Sequence, residues 1–202
     1  MARFIPLMVS VIVAISPPHA SAEGASADDG VHNYQPTSPP VAVAGLAFFE
    51  DGGKRRTIAD YRGSGVVMNF WATWCAPCVR EMPSLDRLQA KVRGIRVLAL
   101  SVDRGGASVV ETFYRKHGIA NLDVLVDRGA KLMRKLGVRG LPTTLLIDAD
   151  GDEVGRVVGP VEWDSGPVRA LIRRTIESRP GPEPAPEPMT EARAAGDGDP
   201  RG

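Results

Sequence analysis

The chain has 202 residues, 43% of them apolar and 24% charged, with a formal net charge of +1. That length suits one globular domain with extended ends. The charge balance, with no basic run interleaved with aromatics, gives no reason to expect nucleic acid or an anionic membrane as a partner.

Residues 1–22 read as a secretory signal. Arg3 is a minimal positive region, Phe4 to Ile15 is an apolar run broken by Pro6, and Ala20-Ser21-Ala22 is a small-x-small pattern that places cleavage before Glu23. The alternative is an uncleaved N-terminal anchor, but a span needs about 20 apolar residues and this run is shorter. No cysteine follows the small residues, which excludes a lipid anchor there. The expected location is therefore outside the cytosol, in the periplasm, where disulfides persist.

Residues 23–40 are polar, Gly/Ser/Pro-rich and aperiodic, and are expected to form a flexible leader. Val41 to Phe49 and Lys54 to Ile58 suggest a hairpin around Asp51-Gly52-Gly53. Ala59 to Arg62 fits one helical turn. Val66 to Trp71 is a nearly continuous apolar run, as expected of a central strand buried on both faces. Val79 to Val92 carries Met82, Leu85, Leu88 and Val92 at helical spacing, with Pro83 expected to kink the helix rather than end it. Ile95 to Val102 is the next strand. Ser108 to His117 is a helix closed by Gly118. A short strand (Leu122 to Val126) and a short helix (Ala130 to Leu136) follow. Thr143 to Ile147 and Glu153 to Val158 form a second hairpin. Asp164 and Ser165 are candidate N-caps for a last helix, with Pro167 early in it. Residues 179–202 lack apolar periodicity and read as a disordered Pro/Gly-rich tail. The folded domain is thus expected over residues 41–178. Strands alternating with helices imply an α/β fold, a central sheet with helices on both faces.

Cys75 and Cys78, the chain's two cysteines, stand three apart directly after the apolar strand. By chain entropy so short a loop yields about 2 kcal/mol before strain, a poor staple; a pair that opens and closes in turnover fits better. Cys75 would sit at a helix N-terminus, where unpaired N–H groups and the macrodipole favour the thiolate. Lowering a thiol pKa from about 8.5 to about 7 raises the thiolate fraction at pH 7 from about 3% to about 50%. Lost nucleophilicity, about fivefold, leaves a net gain of a few-fold in attack and a better leaving group for the return step. Cys78, one turn in, would resolve the mixed disulfide. Pro77 suits the first turn, where no N–H is needed. A C-x-x-C pair is also half a zinc site. Two more ligands would be required, and after residue 22 the chain offers His32 and His117. No metal and no cofactor are expected.

Four motifs then resemble the TlpA/ResA-like branch of exported thioredoxin-fold reductases, nearest to its TlpA members. They are NFWATWCAPCVREMPSL (Asn69 to Leu85), TIADYRG (Thr57 to Gly63), LPTT (Leu141 to Thr144) and GDEVGRVVGPVEW (Gly151 to Trp163). The resemblance runs from Phe49 to Ile176. It implies a thioredoxin-like fold, with a central mixed sheet and an N-terminal β-hairpin extension. It implies a protein-disulfide reductase whose redox-active disulfide is Cys75–Cys78. It also implies a cis Pro142 opposite Cys75, presenting the backbone of Leu141 to an incoming peptide. Trp74, Ala76 and Pro77 would join Leu141 in contacting that substrate. Glu81 lies three residues after Cys78 on the same helix face. Its plain reading is an acid favourable to the helix dipole; its functional reading is a proton partner tuning Cys78. Many thioredoxins carry a buried aspartate six before the first cysteine, where this chain has Asn69. That role is then absent or has passed to Glu81. Trp71 is expected in the core and Trp74 at the surface beside the disulfide.

By the same resemblance, partners are client proteins with disulfides (a copper chaperone, the copper-bearing oxidase subunit, or apocytochrome c) and a membrane electron donor. An oxidant or isomerase uses the same chemistry, and the potential decides: near −270 mV favours reduction, near −120 mV oxidation. A copper-binding metallochaperone is a third reading, since thiolates suit Cu(I); the scarcity of histidine and the proline opposite the thiolate oppose it. A peroxidase fits less, because peroxiredoxins place a threonine three before the reactive cysteine and Thr73 is two before.

Overall fold

The computed structural model describes residues 31–177. The expected signal, the first part of the leader (23–30) and the tail lie outside the described residues.

The strands are β1 (Tyr34–Ala42), β2 (Ala47–Glu50), β3 (Arg55–Thr57), β4 (Gly65–Trp71), β5 (Ile95–Ser101), β6 (Leu125–Val126), β7 (Thr143–Ile147) and β8 (Asp152–Val158). The helices are α1 (Ala76–Lys91), α2 (Ala107–His117), α3 (Lys131–Lys135) and α4 (Gly166–Ile172). One eight-stranded sheet has the order β1-β8-β7-β4-β5-β6-β2-β3. β4 pairs with β5 in parallel and with β7 antiparallel, so the sheet is mixed, as expected.

All seven residues of β4 are buried, because both faces are covered. Its side chains alternate between two cores. Val67 and Trp71 face one that includes Met82, Leu85 and Leu88 of α1, Phe113 of α2 and Leu171 of α4. Val66, Met68 and Phe70 face another, with Phe48, Ile58, Leu132 of α3 and Leu136. Helices therefore flank both faces. At the head of β4, a Cβ on Gly65 would fall 1.9 Å from Ile176 Cγ2, so the close approach of the C-terminal segment requires glycine. α1 runs on through Pro83. α2 ends on Gly118 in the left-handed region at φ 67°.

The expected flexible leader and the strand expected from Val41 to Phe49 both need correction. Residues 34–42 form β1, which pairs antiparallel with β8 (Tyr34 with Val157, Ala42 with Asp152). The chain then crosses to the far edge, where β2 pairs with β3 and with β6. β8 is consequently an interior strand rather than the sheet edge. Pro36, Pro39 and Pro40 hid β1 in the sequence. An edge strand tolerates them because half its N–H groups need no ladder partner, and the register shift between Pro36 and Val41 takes up the rest. Tyr34 packs where Gly155 lacks a side chain; a Cβ there would lie 2.5 Å from its ring. The sixth strand is shorter than the expected Leu122 to Val126.

Candidate active site

β4 delivers the chain to the top of the sheet, and a tight loop turns it into α1. Asp103, buried beyond β5, fixes that loop: Thr73 N donates to Oδ2 (2.9 Å) and Thr73 Oγ1 to Oδ1 (2.8 Å). Ser101 Oγ also donates to Oδ2, at 2.8 Å. Cys75 N donates to the carbonyl of Ala72 at 3.1 Å, so Cys75 becomes the N-cap of α1. Its sulfur accepts from Cys78 N at 3.4 Å and is bonded to Cys78 Sγ. The helix start thus points an amide N–H at the sulfur that would carry negative charge on reduction. Pro77 falls in the first turn, where its missing N–H costs no helical bond. Cys78 is wholly buried, while Cys75 opens on a groove.

That groove has a volume of about 630 Å³. Trp74, Ala76, Pro77 and Leu141, all picked out from the sequence, line it with Cys75; Val102, Met133 and Arg139 complete it. Trp74 is 70% exposed, an unusually large apolar surface beside the disulfide. The Leu141–Pro142 peptide is cis. Pro142 is buried and its carbonyl accepts from Gly159 N at 2.9 Å.

One turn beyond Cys78, Glu81 is only 2% exposed and lies past the first turn of α1, where an acid would meet the helix dipole. Asn69 Nδ2 donates to its Oε1 at 2.7 Å and to Thr144 Oγ1 at 2.9 Å. Val161 N and Trp163 Nε1 donate to its Oε2 at 3.2 and 3.1 Å. Burial pushes the Glu81 carboxyl up to about 7, although the donors from Asn69, Trp163 and Val161 each pull it down. Asn69 of β4 thus meets Glu81 of α1 in a buried hydrogen bond. Its own Oδ1 is buried without a partner, as is Trp71 Nε1.

The segment 161–164 that reaches Glu81 is tied to α1. Trp163 N donates to Ser84 Oγ at 3.0 Å, and Arg87 pairs with Glu162 (2.5 Å) and Asp164 (2.8 Å), with Lys91 adding to Asp164. Glu81, Ser84, Arg87 and Lys91 recur at helical spacing along one face of α1. Trp163 and Asp103 were not singled out from the sequence. Trp163 ends the motif Gly151 to Trp163 but reaches Glu81 only through folding. Asp103 follows the strand β5 as an acid whose partner, Thr73, is 30 residues away.

Comparison with known proteins agrees with this geometry. The model of the AhpC/TSA family matches residues 42–152. Thiol-disulfide oxidoreductase ResA of Geobacillus kaustophilus (strain HTA426) is 40% identical over 128 residues, 62% of this chain and 69% of that protein. ResA of Bacillus anthracis is 38% identical over 109 residues, and the match spans 62% of that protein's length. The crystal structure of the pneumococcal exposed lipoprotein thioredoxin from Streptococcus pneumoniae strain TIGR4 superposes with a TM-score of 0.56 at 28% identity, covering 65% of this chain and 99% of that one. A thiol:disulfide interchange protein of the thioredoxin family from Chlorobium tepidum TLS gives 0.54 at 26% identity, covering 67% and 99%.

Proposed function

Because this chain belongs to the AhpC/TSA family and has a thioredoxin-like fold, we propose that it is an extracytoplasmic thiol:disulfide oxidoreductase that reduces disulfides in client proteins through Cys75-Ala76-Pro77-Cys78. The observation that carries this reading is the Cys75–Cys78 bond at the N-terminus of α1, beside an open apolar groove.

In the reduced protein the Cys75 thiolate attacks one sulfur of a client disulfide. A Cys75–client bond forms, and the second client sulfur leaves as a thiolate that takes up a proton. Cys78 then loses its proton and attacks Cys75 Sγ, forming the internal disulfide and expelling the first client sulfur. Two electrons pass to the client. Glu81 is the proton partner for the buried Cys78: a carboxyl held near neutrality accepts and returns a proton at physiological pH. Leu141, which lines the groove and precedes the cis Pro142, would present its backbone to the client, while Trp74, Ala76 and Pro77 would contact its side chains.

The clients we propose are a copper chaperone or the copper-bearing subunit of an oxidase, or apocytochrome c, with a membrane electron donor returning the protein to its dithiol form. The apolar N-terminal run of the sequence supports export to the periplasm. No helix among the described residues is long and apolar enough to cross a membrane.

The test is trapping. Cys78→Ser should accumulate clients as mixed disulfides on Cys75, and Cys75→Ser should trap none and lose turnover. If Cys78→Ser captures no protein in extracts, the reading fails. A redox titration followed by tryptophan fluorescence sets direction; a potential near −120 mV rather than −270 mV would make the protein an oxidant.

A further inference from the structure

We propose that the rim of the Cys75 groove is a docking surface for an acidic client segment, one that presents its cysteine beside an apolar residue and flanks it with carboxylates. The proposal rests on the disulfide-exchange reading and names the substrate class it serves.

Between Asp127 and Asp148 the chain carries five cations and no acid. This stretch holds Ala130, Met133, Arg139 and Leu141, one whole wall of the groove. Arg139 is exposed and lines the groove with Cys75 itself. On the other side of Trp74, Arg104 lines an adjoining cleft with Val102 and Gly105. Arg104, Arg128, Lys131, Arg134, Lys135 and Arg139 are all exposed. Two carboxylates of the flanking segments are buried and already engaged: Asp103 holds Thr73 and Ser101, and Asp127 accepts from Leu132 N and Met133 N. A third, Glu50, lines a further cleft with Arg104 and Arg128 and is paired with Arg56 at 2.6 Å.

The overall charge of +1 conceals this because the opposite end of β7 is acidic, with Asp148, Asp150, Asp152 and Glu153 at its turn. Each exposed charge contributes little alone, but a one-signed rim orients an approaching partner and raises its encounter rate. The exposed face of Trp74 and the floor made by Val102, Met133 and Leu141 supply the apolar seat. An acidic segment thus satisfies the rim by charge and the floor by hydrophobic contact.

The reduced full-length protein is mixed with three cyclic peptide disulfides that share one core and are flanked by glutamate, glutamine or lysine, and exchange is followed by stopped-flow fluorescence. At about 20 mM salt the glutamate peptide should react at least about tenfold faster than the lysine peptide, and the ratio should fall towards one as salt shortens the screening length. In R104E/R139E the order should reverse. A ratio near one at low salt, or a ratio unmoved in R104E/R139E, overturns the proposal. So does retention on phosphatidylglycerol vesicles combined with a peptide ratio near one, which would assign the rim to a lipid surface. The glutamine peptide reads exchange itself: if none of the three reacts, the proposed function fails and this inference falls with it, whereas equal rates reject the charge preference alone.

Discussion

The indole Nε1 of Trp163 donates to Oε2 of Glu81 across 3.1 Å, although the two residues are 82 apart in sequence. Both side chains are buried, and Glu81 lies one turn of α1 from Cys78. The contact places the environment of Glu81 under the control of the segment that follows β8.

Trp163→Phe should therefore move the titration of Glu81 upward. The mutation keeps the ring but removes a donor that favours the ionised carboxylate. Stability should fall by about 1–3 kcal/mol, the range for a buried polar group losing its partner. The pH profile of thiol alkylation in the reduced protein reads the shift; an unmoved profile would make Trp163 a packing residue.

Glu81→Gln should flatten the pH dependence of stability in the oxidised protein. The Glu81 carboxyl is raised to about 7 from 4.5, so the folded state binds the proton more tightly than the unfolded one. Its protonated form is fully accommodated below about pH 4.5, and stability is lost as pH rises through about 7. The difference amounts to about 3 kcal/mol between those limits. Glutamine cannot lose a proton, so denaturant midpoints for the variant should vary less between pH 4.5 and pH 8 than those of the parent. A matching slope in both proteins would show that Glu81 is not the group responsible.

Asp103→Ala should slow disulfide exchange without abolishing it. The substitution releases Thr73 and Ser101 from their common acceptor, and the loop presenting Trp74 and Cys75 loses its anchor. A cost of about 2–4 kcal/mol is expected from the buried donors left behind. Exchange rates with a small disulfide, measured well below the melting transition, separate the loop effect from unfolding.

Gly65→Ala should destabilise by about 1–3 kcal/mol, since the new methyl would meet Ile176 Cγ2 at 1.9 Å. Ile176→Ala in the same chain should recover part of that loss. Additive costs in the double variant would mean the two positions do not meet.

The sequence made several parts of the molecule legible. β4, α1, β5, α2 and the β7–β8 hairpin follow from local pattern: an apolar run bounded by polar residues, a helical repeat around Pro83, a glycine at a helix end. The cysteine pair at the junction of strand and helix is equally local, since the N-cap position and its dipole involve neighbours in the chain. β1 was hidden because prolines mark extended but unpaired chain in a sequence, and an edge partner 116 residues away decides otherwise, as Thr37 and Glu153 illustrate.

What the chain determined by itself is the chemistry available: two cysteines, their spacing, the helix that receives them and an acid three residues on. What the tertiary structure decided is the environment of that acid and of the groove. Burial of Glu81 and its bonds to Asn69, Val161 and Trp163 join β4, α1 and the segment after β8. Arg139 and Leu141 come to line one groove with Cys75 although more than 60 residues separate them in sequence. Desolvation and charge proximity are properties of distance in space, and sequence separation carries no information about them until the chain has folded.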